Sequence, residues 1–205
     1  MRATTRHHAR LSGVTGAPVI VFAHGFGCDQ NVWKQITPAF EADFRVVTFD
    51  YVGAGGADTS AYEPERYASL DGYAADVVEL VEELELGSVT FVGHSVSSMI
   101  GVLAAIERPD LFEALVLVGP TARYIDDGSY VGGFSEADID ALLESMESNY
   151  LGWSHAMAPV IMSNDDRPGL ADATRMRPGT SLASSVSRAA LFTASPITVY
   201  SNRDR

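Results

Sequence analysis

The chain has 205 residues, enough for one α/β domain with a sizeable core and too few for two full domains. A hydrophobic share of 46% with 20% charged residues is that of an ordinary globular protein, and the net charge of −13 (14 basic against 27 acidic side chains) excludes a nucleic-acid or anionic-membrane partner, because no basic surface is available to replace counterions. One cysteine, Cys28, excludes an internal disulfide and fits a reducing, cytoplasmic setting; no apolar run approaches the 18 residues of a membrane span.

Taken in order, residues 1–16 are mostly polar, with a weak edge strand at 9–11 and a turn at Ser12-Gly13. Residues 18–23 are apolar throughout and read as a core strand, running directly into His24-Gly25-Phe26-Gly27. A helix is expected over 29–40, carrying Val32, Trp33, Ile36 and Phe40. A second buried strand covers 44–49 and ends in Asp50, followed by a glycine-rich loop over 51–58. Residues 69–84 place Tyr73, Val77, Leu80, Val81 and Leu84 on one face of a long amphipathic helix. A β-branched and aromatic run at 88–92 gives a third core strand. After it Met99, Val102, Leu103 and Ile106 recur at helical spacing up to Pro109, and residues 114–118 form a fourth.

Apolar strands alternating with amphipathic helices indicate a mostly parallel sheet covered on both faces, an α/β fold whose reactive groups gather at the carboxyl ends of the strands. His24, Asp50 and Ser95 all sit at such ends. Beyond Pro120 the alternation stops. Residues 121–134 read as a loop, a helix with Ser135 at its cap and Asp138 three positions on begins there, and a further helix is expected over 150–162. Two readings of these Met- and aromatic-rich helices stand: a cap over the site, with bounds 121–195, or extra core helices.

Gly93-His94-Ser95-Val96-Ser97 interrupts strand and helix with a serine at the apex, the context of a nucleophile elbow in which Ser97 replaces the last glycine. Such a turn holds the Ser95 hydroxyl out of the sheet, while the Val96 N–H lies at a helix N-terminus where an anion is favoured. A serine nucleophile needs a hole for the oxyanion that forms, and the His-Gly-Phe-Gly loop supplies the second donor as the backbone N–H of Phe26. No cofactor or metal is expected.

HGFGCDQNVW, FDYVGAGGAD, LDGYAADV, GHSVSSMIG, YVGGFSEADI and MESNYLGW together resemble the α/β-hydrolase subfamily of bacterial stress-response regulator hydrolases and plant karrikin and strigolactone receptors, over roughly residues 17–165. The resemblance implies an α/β-hydrolase fold with a V-shaped helical cap, a Ser-Asp-His triad and a small apolar pocket. By position, Ser95 is the nucleophile, Phe26 and Val96 give the oxyanion N–H groups, and Phe26, Tyr124, Phe134, Leu142, Trp153 and Met157 line the pocket. His24 and Asp50 precede the serine, out of the family's order, and are read as loop-ordering residues; His94 and Cys28 are read as packed. The family's Asp and His follow the cap on loops after two further strands; no histidine follows His155 here, and residues 196–200, read as the start of the next strand, make Asp204 a stand-in for the triad acid. The expected layout is therefore a C-terminally truncated hydrolase: core at 1–120, cap at 121–195, and the start of the returning core at 196–205. It implies a hydrolase acting on a small apolar ester or lactone. The alternatives are a small-ligand sensor that signals to a regulatory protein partner through its cap, and an inactive fragment.

Overall fold

A computed structural model describes residues 1–149 and 152–153. Five strands, β1 (Arg10–Gly13), β2 (Val19–Ala23), β3 (Arg45–Phe49), β4 (Val89–His94) and β5 (Phe112–Val118), make one sheet in the order β1-β3-β2-β4-β5. β2 to β5 run parallel, and β1 pairs antiparallel on the outside of β3. The chain leaves β2 for β3 on one side and returns to β4 on the other. The carboxyl ends of β2 and β4 therefore flank a topological switch point, where α/β sheets open a crevice.

The side-chain period of two sorts β2 between two cores. Val19, Val21 and Ala23 join Val47, Phe49, Val89 and Phe91 on one face, under helices α2 (Leu70–Glu83) and α3 (Val96–Glu107). Ile20 and Phe22 join Val46, Val92 and Trp33 on the other. Every residue of β2 is buried, and each large apolar side chain so placed contributes about 1.5–3 kcal/mol of transfer free energy.

The expected helix over 29–40 is replaced by two short 3-10 turns, Gln30–Trp33 and Thr37–Ala39. Pro38 has no N–H to bond back to Lys34, and it biases Thr37 away from a continuous helix. The Asp29 side chain caps the first turn through the Asn31 N–H at 2.8 Å. Residues 1–16 hold more order than their polarity suggests. A single helical turn, α1 (Ala3–Arg6), precedes β1, and Gly13 closes that strand in place of the expected turn.

α1 is tied to α2 through Asp76, whose side chain is fully buried. Asp76 accepts from Arg6 (3.1 Å), Arg66 (2.6 Å) and the Tyr67 hydroxyl (2.8 Å), while both arginines also pair with Glu79. β5 lies at the edge of the described sheet, and Val116 and Val118 are exposed, unlike the buried strand the composition implied. α4 (Glu136–Ser148) begins with the expected capping box between Ser135 and Asp138. Residues 152–153 are helical; otherwise the expected helix over 150–162, the later cap and the returning core lie outside the described residues, as do Met157 and Asp204. No described helix is long and apolar enough to cross a membrane.

Candidate active site

The sheet register brings the two motifs together. Ala23 pairs with Gly93, so residues 24–27 and 94–97 are the next to emerge from adjoining strands. Contact is close: a Cβ on Gly25 would stand 3.2 Å from the Ser95 Cβ and 2.7 Å from His94 Nδ1. Glycine is required there because the loop backbone passes directly over the elbow.

Ser95 has φ +57° and ψ −121°, a conformation that costs a non-glycine residue on the order of 1–3 kcal/mol. Tertiary contacts hold it there. Its N–H donates to Val118 O at 2.8 Å, and its carbonyl accepts from the Ser98 N–H at 2.9 Å. Gly93 has no room for a side chain, since a Cβ would sit 2.5 Å from Ser97 O. The Ser98 hydroxyl donates to Gly93 O at 2.8 Å. Ser97 is fully buried; its hydroxyl donates to the His24 carbonyl and accepts from the Tyr51 hydroxyl at 3.1 Å. Among the described residues neither the Phe26 nor the Val96 N–H is hydrogen-bonded to a protein acceptor.

His24 is buried with both ring nitrogens in use. Nδ1–H donates to Gly25 O at 2.9 Å, and Nε2 accepts the Tyr51 N–H at 3.2 Å. Burial lowers its pKa, which keeps it neutral in that tautomer. Asp50 accepts from the Gln30 N–H (2.7 Å), the Gln30 amide (2.9 Å) and the Gly56 N–H (2.9 Å), so it orders the loops on either side of it. His94 turns to the other face, where its ring meets Trp33 edge-on at 6.4 Å; burial first, and then His24, lower its pKa. Burial pushes the Cys28 thiol up to about 12, which makes it a poor nucleophile.

The Ser95 hydroxyl meets Tyr124 OH at 2.7 Å. Tyr124 comes from the segment after β5. There Phe134 N–H donates to Tyr124 O (3.1 Å) and Asp126 N–H to Phe134 O (2.9 Å), a small ladder in residues read from the sequence as loop. Tyr124 packs on Ile125 and Ile139, and Trp153 lies edge-on to Phe26 at 6.3 Å. Leu142 is half-buried and Phe134 exposed. A small cavity, partly open to solvent, is lined by Gly25, Phe26, Tyr51, Tyr73, Val96 and Ile100, and so adjoins the elbow and the glycine loop together. Tyr51 was missed from the sequence, where it has no mark beyond its place after Asp50. Among the described residues no group of three or more His, Cys, Asp or Glu side chains is placed to hold a metal.

The family model for the alpha/beta hydrolase fold matches residues 18–148, which include the Gly25 loop, Ser95 and Tyr124. The chain belongs to the alpha/beta hydrolase fold family. This hydrolase-family chain is 47% identical over 159 residues to the karrikin insensitive 2 receptor CA of Petunia hybrida, covering 78% of the chain and 58% of the petunia protein. It is 40% identical over 172 residues to the strigolactone esterase D14 of Arabidopsis thaliana, covering 82% of the chain and 64% of the relative. A solved hydrolase from Oleispira antarctica superposes with a TM-score of 0.79 at 34% identity, over 94% of the chain and 71% of that protein. The chain thus spans about three fifths of the length of these two plant relatives.

Proposed function

We propose that this hydrolase-family protein cleaves a small apolar ester or lactone through an acyl intermediate on Ser95. The observation that carries the reading is the Ser95 backbone, held at positive φ at the β4–α3 junction with the Gly25 loop packed against it. In this reading Ser95 Oγ attacks the carbonyl carbon, and the Phe26 and Val96 N–H groups take the charge that develops on the carbonyl oxygen. The base that accepts the Ser95 proton is neither His24, whose nitrogens are engaged, nor His94, which faces Trp33. Asp204 is retained as the candidate acid. Tyr124, Phe134, Leu142, Trp153 and Met157 form the apolar wall, on a cap within 121–195 that follows a core at 1–120. A cytoplasmic setting is supported by the single, unpaired Cys28.

The test is pre-steady-state hydrolysis of 4-nitrophenyl butyrate by the full chain. A burst of nitrophenolate stoichiometric with protein, and an acyl adduct on the Ser95 peptide, are expected; turnover unchanged in Ser95→Ala contradicts the reading. A second reading, a small-ligand receptor that acts on a regulatory protein through its cap, is favoured by the 47% identity to a protein named as a karrikin receptor. A ligand that raises the melting temperature equally in wild type and Ser95→Ala, with no burst in either, selects it.

A further inference from the structure

We propose that Tyr124 donates a hydrogen bond to the leaving-group oxygen and thereby suits the site to esters and lactones of unactivated alcohols. The inference rests on Ser95 being the nucleophile and goes beyond that reading to substrate class.

The phenol stands 2.7 Å from the attacking oxygen. Its place is fixed by the Phe134 N–H on its own carbonyl and by packing on Ile125 and Ile139. Burial raises its pKa, so it is a neutral donor at physiological pH. A phenol oxygen is too weak a base to take the serine proton; what Tyr124 can offer the reaction is its O–H. When Oγ bonds to the acyl carbon, two substrate oxygens arrive within reach of a group already 2.7 Å from Oγ. The carbonyl oxygen is drawn to the Phe26 and Val96 N–H groups. The leaving oxygen remains for the phenol.

The step balances without Tyr124 being consumed. The Oγ–C bond forms, the C–O bond to the leaving group breaks with its electron pair on oxygen, and the proton lost by Ser95 equals the proton gained by the departing alcohol. Tyr124 keeps its own proton and stabilises charge on the leaving oxygen while the bond breaks. An alkoxide-like leaving group needs that help; a nitrophenolate, already stable, does not.

The experiment compares kcat/KM of wild type and Tyr124→Phe for ethyl butyrate and 4-nitrophenyl butyrate, with fluorophosphonate labelling of Ser95 run on both proteins. The expected result is a loss about 10–100-fold greater on the ethyl ester than on the nitrophenyl ester, with labelling of Ser95 still detected. Equal losses on both esters, no loss on the ethyl ester, or loss of labelling in Tyr124→Phe overturns the proposal while leaving the role of Ser95 standing. If the wild type neither labels nor cleaves the nitrophenyl ester, the nucleophile assignment falls and this proposal falls with it.

Discussion

Ser97 shows how one atom can substitute for a glycine at an elbow. Its hydroxyl joins the His24 carbonyl to the Tyr51 hydroxyl, bonding the Gly25 loop, the loop after β3 and α3 at one buried point. Ser97→Ala strands the Tyr51 hydroxyl and the His24 carbonyl, and a loss of about 1–3 kcal/mol is expected in urea unfolding. Gly25→Ala tests a different property. Its new Cβ meets His94 and Ser95 rather than solvent, so the loop must lift away from the elbow. Fluorophosphonate labelling of Ser95 is expected to fall by about 100-fold or more, the size of effect seen when an oxyanion donor is lost, with a cooperative melting transition retained. The glycines, Ser95 and Phe26 were legible in the sequence because each is tied to a motif with a fixed strand-turn-helix context. Tyr51 was not, because a tyrosine two residues past a strand looks the same whether it is buried or solvated.

Among the elements, α2 is the one to which the N-terminus is moored. Asp76 lies on its buried face and gathers Arg6, Arg66 and Tyr67. Asp76→Ala leaves two guanidinium groups and a phenol short of their acceptor, with an expected cost of about 3–5 kcal/mol in denaturant unfolding, whereas the same change at the exposed Asp110, paired with Arg108, is expected to leave the unfolding midpoint nearly unchanged. The apolar face of α2 was readable from its period, and so was β2, buried on both sides. The N-terminal turn was not, since its order comes from Asp76 some seventy residues away and not from its own sequence. The broken helix at 30–39 had its cause in view: Pro38 is decisive, but the apolar spacing of Val32, Trp33 and Ile36 outweighed it in the reading.

At the scale of the whole molecule, two buried histidines, His7 and His24, and the half-buried His94 give stability a common pH dependence. Burial lowers the pKa of His7, His24 and His94 below the ordinary value of 6.5, so each binds its proton less readily folded than unfolded. Their contribution is complete above pH 6.5 and declines as pH falls below it, with a slope of up to about 1.4 kcal/mol per pH unit for each. Melting curves between pH 8 and pH 5 are expected to shift downward in that window; a flat profile contradicts it. The parallel sheet and its switch point were legible because strands buried on both faces carry an unmistakable composition. The segment after β5 was less so: Tyr124 was placed near the serine by resemblance, and its hydrogen bond to Ser95 depends on a ladder between residues 124 and 134 that no periodicity announces.

The central claim is that the backbone at the β4–α3 junction makes one hydroxyl reactive. Intact-protein and peptide mass spectrometry after treatment with a fluorophosphonate tests it most directly. One adduct per chain, on Ser95 and absent from Ser95→Ala, is the predicted result; an unmodified Ser95 in the folded wild-type chain, or the same adduct yield in the alanine variant, contradicts it.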